Sequence, residues 1–301
     1  ACWQQLEEIC EAGKDKRFVN EVDWAFANDI LEALARIRDE VEQRVLSVLS
    51  QKIKNFEHNP MKWMEPLMVV LAGLLQMDAA ISMIVGKLRE DDSLLAGYCI
   101  EALSRIGTDA VVAVVAKDFA DANRHFRLYA ANVFENIHSD LAVDKAVDLL
   151  ATEKDQQVQR DLAHAALSHF AQEGVEPVRQ LIRSQRLDGD LRHLRDYIVE
   201  TCTIMEERFP EYDEWQAAGK LEREEHRKQL VAVKDDPMAA VSWALGRAKD
   251  YFPSDEPEDQ KESIPTSNRP SFDEPLLGSN SDVKSKRVGR NDPCPCGSGK
   301  K

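Results

Sequence analysis

The sequence predicts an all-α fold, an α-solenoid of antiparallel helix pairs with a period of 31–34 residues. Asp78, Asp109 and Asp140 lie 31 residues apart, twice over. Apolar residues follow each Asp at the spacing of a helix. Residues 32–37 and 101–106 lie 69 positions apart and differ at one position. Such a period is typical of stacked two-helix units, because no single unit can bury its apolar face alone.

Each of the three Asp residues is predicted to be the N-cap of a helix. The carboxylate of an N-cap Asp accepts a hydrogen bond from a first-turn N–H, which stabilises the helix by about 1 kcal/mol. The apolar positions that follow the caps are Ile81, Ile84 and Leu88; Val112, Val115 and Phe119; Val143, Val147 and Leu150.

The helices of the array are predicted in order through residues 1–210. The first is expected at 18–37 and the second at 41–56, and Pro60 separates them from a helix starting at Pro66. The residues predicted to share one place in successive second helices are Leu75, Ile106, Ile137, Phe170 and Ile204. A second equivalent series, at which small residues allow close helix approach, is Cys99, Ala130, Ala163 and Tyr197.

The composition changes beyond the array. Residues 211–252 are predicted to form an irregular helical cap that shields the open end of the stack. Residues 253–287 are rich in Pro, Ser and acidic residues and have few apolar ones, so they predict a disordered linker. From Lys284 onward the sign of the charge reverses, with six basic residues against the single acid Asp292.

Charge and hydropathy limit the classes of function. The net charge of −15, from 54 acidic and 39 basic residues, argues against a general nucleic-acid binder. No apolar run is long enough to insert into a membrane, and the first residues do not resemble a secretory signal. The scattered Cys2, Cys10, Cys99 and Cys202 are expected to be small buried hydrophobes rather than a disulfide framework. We therefore expect a reducing, cytoplasmic location.

The alternation of short antiparallel helices over about residues 18–205 resembles HEAT-like repeats, including those of phycobilin-lyase-type proteins. In HEAT arrays the second helix of each unit usually lines the concave side, so the resemblance implies a groove there. The predicted register makes Glu101, Asn132 and Ala165 equivalent, as it does Arg105, Asn136 and His169. The residues expected to form a continuous polar strip on this concave surface are Glu101, Arg105, Asn132, Asn136 and His169.

The histidines do not predict a metal site or a catalytic site. His164 and His169 are five residues apart, so they do not share a helix face as i, i+4 ligands do. None of the seven histidines is followed by Glu, whereas HEAT-type di-iron hydroxylases use repeated His-Glu pairs.

Cys294 and Cys296 are the residues with the clearest chemistry. The two thiols lie one residue apart, are flanked by prolines and are followed by Gly-Ser-Gly. A tetrahedral zinc site takes thiolates at about 2.3 Å, and the glycines would allow a tight turn around the ion. Two ligands make half a site, and an unstructured tail with two incidental cysteines is the alternative interpretation.

The run 288–301 resembles the SEC-C motif, the small zinc-binding module named for the C-terminal tail of the SecA translocation ATPase. The resemblance implies that Cys294 and Cys296 are zinc ligands and that Zn²⁺ is the cofactor. It also implies a further Cys followed by Cys or His, and we expect that pair beyond Lys301. The similarity covers 14 of 301 residues, and the chain has no Gly-x-x-x-x-Gly-Lys-[Ser/Thr] phosphate loop.

Two functional hypotheses follow. The first is a non-enzymatic adaptor whose solenoid surface binds a protein or peptide and whose tail docks in a zinc-dependent way. The alternative is a phycobilin-lyase-like HEAT enzyme that handles a small ligand in the concave groove. A third class, a DNA-repair HEAT protein, would need a basic groove, which the excess of acidic residues disfavours.

Overall fold

The computed structural model describes residues 2–51, 57–90, 93–185 and 189–234. They lie within a unit that spans Ala1–Pro265. Over the described residues the chain is all-α, with thirteen α-helices, three short 3-10 turns and no strand, which confirms the all-α part of the prediction. The α-helices are α1 (Cys2–Gly13), α2 (Trp24–Ala35), α3 (Arg38–Leu49), α4 (Met61–Leu74), α5 (Ile81–Leu88), α6 (Ser93–Ile106), α7 (Asp109–Phe119), α8 (Arg124–Asn136), α9 (Asp140–Leu150), α10 (Gln156–Ser168), α11 (Val175–Ser184), α12 (Gly189–Ile204) and α13 (Tyr212–Lys234).

Helix contacts follow the chain in two interleaved series. Helix α4 contacts α6, α6 contacts α8, α8 contacts α10 and α10 contacts α12. A second series runs from α5 to α7 and on to α9. The two series meet because α5 packs on α6, α7 on α8, α9 on α10 and α11 on α12. These contacts are compatible with stacked helix pairs.

The three periodic Asp residues are not N-caps, so that prediction is wrong. Asp109 and Asp140 are the first residues of α7 and α9, whose N-caps are Thr108 and Ser139. The Ser139 hydroxyl accepts a first-turn N–H at 3.2 Å, which leaves Asp140 inside the helix. Asp78 starts a 3-10 turn ahead of α5. An acidic residue in the first turn still stabilises a helix through the positive N-terminal end of its dipole.

Side chains cap the second helices of the series instead. The Asn123 side chain accepts the Phe126 N–H at 2.8 Å at the start of α8. The Asp155 carboxylate accepts the N–H groups of Gln157 and Val158 at 3.0 and 3.1 Å at the start of α10. These caps fix where each helix begins and therefore which of its residues turn inward.

Burial shows that the predicted register fails after α8. Helices α8 and α10 begin at residues 124 and 156, directly after the caps Asn123 and Asp155, so their starts lie 32 residues apart rather than the 33 of the predicted register. Phe170 and Ile204, predicted to share a place with Ile106 and Ile137, are 51% and 67% exposed, whereas Ile106 and Ile137 are buried. Ala165, predicted to be equivalent to Glu101 and Asn132, is fully buried. Phe170 has φ 54° and ends α10 as Gly107, with φ 63°, ends α6. It therefore matches the left-handed residue after the helix, one position beyond the predicted equivalent.

Two predicted boundaries also move. Helix α2 begins at Trp24 rather than residue 18, because the Asp23 carboxylate accepts the Phe26 N–H at 3.2 Å and caps it. Helix α4 already begins at Met61 and holds the buried Pro66 in its interior. Pro66 therefore does not start that helix, whose N-cap is Pro60.

Helix α13 is one continuous helix of 23 residues that packs on α12. Its first residue, Tyr212, is buried, and the Tyr212 hydroxyl lies 2.5 Å from the Thr203 hydroxyl of α12. The rest of the predicted cap (235–252), the predicted linker (253–287) and the tail (288–301) lie outside the described residues.

Candidate interaction surface

The outward sides of α6, α8, α10 and α12 carry most of the residues predicted to bind. On α6, Ala102 and Leu103 face the core and are buried, while Glu101 and Arg105 lie one turn apart on the partly exposed side. An Arg105 Nη2–H donates to Glu101 Oε1 at 2.6 Å. Such a partly exposed pair contributes only a few tenths of a kcal/mol to stability, roughly. The pair presents one acceptor group and one donor group side by side.

Asn132 and Asn136 lie on the corresponding side of α8. The Asn132 amide donates to the carbonyl of Leu128 at 2.9 Å, and the Asn136 amide donates to the carbonyl of Asn132 at 2.8 Å. Both amide NH₂ groups are therefore bonded to their own helix. Their side-chain oxygens are the groups better placed to meet a partner.

His169 does not continue this row. Since α10 is shifted by one residue against the predicted register, His169 takes the place that Ile137 has after α8. It is half-buried, and its Nε2 lies 2.9 Å from the Phe134 carbonyl. Burial lowers the pKa of His169, opposing the hydrogen bond to Phe134, and neighbouring His138 acts in the lowering direction. His169 is therefore mainly neutral at pH 7.

The residues that do continue the row are His164 on α10 and Tyr197 on α12. Their rings are 4.9 Å apart and inclined by 35°. Burial raises the pKa of the Tyr197 hydroxyl, and the carboxylates of Glu135 and Glu200 raise it further. The sequence reasoning missed both aromatic residues because it placed Tyr197 at a helix-packing position. Counting from the helix starts, which carry the Asn123 and Asp155 caps, would have found His164.

The structure thus brings Glu101, Asn132 and His164 to equivalent positions on the successive contacting helices α6, α8 and α10, and the ring of Tyr197 on α12 contacts the ring of His164. At the α12 end this row is aromatic and acidic, because Glu135 and Glu200 both act on Tyr197. An aromatic and acidic surface of this kind favours a cationic group, which a tyrosine ring and carboxylates can hold together. Whether it binds a partner stays a prediction.

Three of the four scattered cysteines of the described part are buried, as predicted. Cys10, Cys99 and Cys202 are buried, Cys2 is partly exposed, and no disulfide joins them within the described residues. Burial, with a smaller effect of Glu7, raises the pKa of the Cys10 thiol to about 12. A thiol with so high a pKa is a poor nucleophile at pH 7 because little of it is ionised.

A cleft of about 650 Å³ lies between α1, α3 and α4, which sequence reasoning did not predict. Trp3, Glu7, Arg44 and Met64 are among its lining residues. The Arg44 guanidinium lies 4.3 Å from the centre of the Trp3 ring and pairs with Glu7. The charged groups of Arg44 and Glu7 in this cleft are therefore paired with each other.

Within the described residues no group of three or more His, Cys, Asp or Glu side chains could hold a metal ion. None of the helices that the structure describes is long and apolar enough to cross a membrane. Cys294 and Cys296, the predicted zinc ligands, lie outside the described ranges.

Comparisons with known proteins address the tail. Neither the curated proteins nor the solved structures give a match to the chain. The model of one protein family matches a short segment that includes both Cys294 and Cys296. That family is the SEC-C motif, and its match to residues 290–301 confirms the resemblance seen in the tail.

Proposed function

We propose that this protein is a non-enzymatic adaptor. Its helical body is a HEAT-like α-solenoid that binds a protein or peptide, and its SEC-C tail docks in a zinc-dependent way. The observation that carries the proposal is the row of Glu101, Asn132, His164 and Tyr197 on successive helices. Stacked repeats commonly use such extended rows of equivalent positions to bind their partners.

The chemistry of the row specifies the partner. Tyr197 offers a ring face, and the carboxylates of Glu135 and Glu200 lie close enough to raise its pKa. A Lys or Arg side chain over that ring would gain attraction from the ring face and from both carboxylates. The partner is therefore proposed to present a basic segment, in keeping with the net charge of −15.

The tail adds a second contact. Its donor set, the thiols of Cys294 and Cys296, fits half of a tetrahedral zinc site. Zinc would supply the binding energy that folds such a small module, so docking through it would depend on the metal. Two linked contacts on one partner would bind more tightly than either alone.

A capture experiment with the full chain tests the row. Proteins cross-linked to the wild type in cells of its source are compared with those cross-linked to Glu200→Arg and to Asp213→Arg. Both changes reverse an exposed acid, with side chains 65% and 98% exposed, but Asp213 lies on α13 and outside the row. We expect the basic partner to be lost from Glu200→Arg and retained by Asp213→Arg. The same proteins on all three chains would contradict the proposal.

Elemental analysis for zinc tests the proposed role of the tail independently of the proposed role of the helical row. We expect zinc in the natural full-length chain and a loss of zinc in Cys294→Ser. A chain without zinc would remove the docking tail and leave the helical row to be judged by cross-linking. A small coloured molecule that copurifies with the body, with no protein partner, would favour the lyase-like enzyme instead.

A further inference from the structure

Two histidines from neighbouring turns meet outside the row described above. His138 lies in the turn between α8 and α9, and His169 is the C-cap of α10. Their Nδ1 atoms are 3.0 Å apart. Their rings are almost perpendicular, at 89°, with centres 4.8 Å apart. If the two rings met head-on, their centres would be separated by 3.0 Å plus the two ring radii, which is more than the observed 4.8 Å. The rings are therefore inclined to the line that joins the two nitrogens.

The other nitrogen of His169 is already used. Its Nε2 lies 2.9 Å from the carbonyl oxygen of Phe134, which belongs to the last turn of α8. Carbonyls in the last turn of a helix lack a helical donor, so this oxygen is free to accept. With the proton on Nε2, Nδ1 of His169 is an acceptor, and the Nδ1–H of His138 donates to it across the 3.0 Å contact. To bind an ion, His138 would move this proton to its own Nε2, which leaves a lone pair on both Nδ1 atoms. A histidine that binds a metal is usually oriented by such a hydrogen bond from its second nitrogen.

We propose that Nδ1 of His138 and Nδ1 of His169 together bind one divalent transition-metal ion. Bonds of about 2.0–2.1 Å from each nitrogen to a shared ion would span 3.0 Å at an angle of about 90–97°. That angle is closer to square-planar or octahedral geometry than to tetrahedral geometry, which favours Cu²⁺ and Ni²⁺ over Zn²⁺. Water would fill the remaining positions, since His138 is exposed.

The ion would join two successive units of the array. His138 follows α8 and His169 ends α10, and these two helices are in contact. A metal bond across the two turns would hold the helix ends together and stabilise the folded chain, because the pair is not preformed in the unfolded chain. This site is distinct from the tail in ligand chemistry, with two imidazoles in place of two thiolates.

Calorimetric titration with Ni²⁺ tests the site in the full chain without an affinity tag. The parent chain carries Cys294→Ser and Cys296→Ser, so that tail thiols cannot bind the ion. We expect one Ni²⁺ per chain and a higher midpoint of thermal unfolding in its presence. His138→Asn should abolish both effects, and so should His169→Asn.

His193→Asn is the matched control, because His193 is an exposed histidine of α12 that belongs to no such pair. It should keep the stoichiometry and the shift in unfolding midpoint. His138→Asn changes an exposed turn residue, so circular dichroism should show unchanged helicity even if His169→Asn is less stable. Absence of Ni²⁺ binding in the parent would overturn the proposal, and so would equal binding by the parent and His138→Asn.

Discussion

The contact of α8 with α10 and the contact of α12 with α13 use different chemistry. In the first, Ala130 of α8 and Leu162 of α10 are fully buried apolar residues at the same place after their capped helix starts. In the second, α12 contributes Arg195, which is only 3% exposed and donates to Glu222 of α13. A buried arginine thus lies at the contact with α13, whereas small or aliphatic residues lie at the contact of α8 with α10.

The buried guanidinium is fully paired. Arg195 donates to both oxygens of Glu222 on α13, at 3.0 and 3.1 Å, and to Asp196 at 2.7 Å. Arg223 of α13 in turn donates to Asp196 at 2.9 Å.

The core of the α8–α10 contact is apolar, so it should depend less on salt and pH than the α12–α13 junction, where a buried guanidinium meets two carboxylates. Ion pairs also lie beside the α8–α10 core, between Arg124 and Asp155 and between Arg127 and Glu153. The two contacts should therefore respond differently to the same perturbations.

The largest effect is expected from a cavity in the array. Phe134 of α8 is fully buried, so Phe134→Ala should lower the free energy of unfolding by about 3–5 kcal/mol. Ile204→Ala on α12 is the control, because Ile204 is 67% exposed and should change stability by less than about 0.5 kcal/mol. Urea unfolding measures both. Similar losses for the two variants would restore the original register, in which Ile204 is a core residue.

Removal of the buried arginine should come next. Arg195→Leu leaves Asp196 and Glu222 without their main donor and should cost about 1.5–3 kcal/mol. The cost is smaller than for a fully buried carboxylate, because the Glu222 side chain is 43% exposed and water can reach it. Trypsin should cut α13 faster in Arg195→Leu. As the control, Arg227→Ala replaces an exposed arginine of α13 and should leave the cleavage rate at the remaining sites of α13 unchanged. An unchanged cleavage rate in Arg195→Leu would show that charge does not hold α13.

The same contrast explains what the sequence could predict. The helices were predictable because burial at every third or fourth residue gives the sequence a helical period, as at Ile81, Ile84 and Leu88. The predicted register became wrong because one extra residue in a turn shifts the next helix along the sequence. Such a shift leaves the apolar period within that helix unchanged, so the period does not reveal it. The caps carry the missing information: Asn123 and Asp155 begin helices at a spacing of 32.

Contacts between residues that are far apart in the sequence leave no periodic pattern in it. The burial of Arg195 could not be predicted, because an arginine at a buried position does not contribute to an apolar period. Its partner Glu222 also comes 27 residues later in the chain. His138 and His169 lie 31 residues apart, close to the repeat period. Nevertheless their contact depends on turn geometry and on the carbonyl of Phe134, which hydrophobic patterning does not specify.

A third prediction concerns close approach within the array. A Cβ on Gly73 of α4 would lie 2.7 Å from the Cα of Ala102 on α6. Because the obstacle is backbone, Gly73→Ala should push the helices apart and cost about 1–3 kcal/mol. Gly86 of α5 is also helical and has no atom within 4 Å of such a Cβ, so Gly86→Ala should stabilise by about 0.5–1 kcal/mol. Thermal unfolding should show the two alanines with opposite signs.

The smallest effect expected is a dependence of the α12–α13 junction on pH. The hydrogen bonds from Arg195 hold the pKa of the Glu222 carboxyl below its ordinary value. The folded chain therefore binds a proton here less readily than the unfolded chain, whose glutamates titrate near pH 4.3, roughly. The stability that this ion pair contributes is present above that pH and is lost as the pH falls through the lower pKa of the folded state.

Glu222→Gln removes this titration while keeping a side chain of similar size. Between pH 7 and pH 3.5 the urea midpoint of the wild type should fall further than that of Glu222→Gln, because only the wild type loses the Arg195–Glu222 charge pair. The difference should be modest, since Glu222 is partly exposed and solvent screens the pair. Phe134→Ala supplies the contrast from the array, because an apolar cavity adds no titrating group and its cost should be the same at both pH values. Equal pH dependence in the wild type and Glu222→Gln would mean that α13 is held by its apolar contacts, as the helices of the array are.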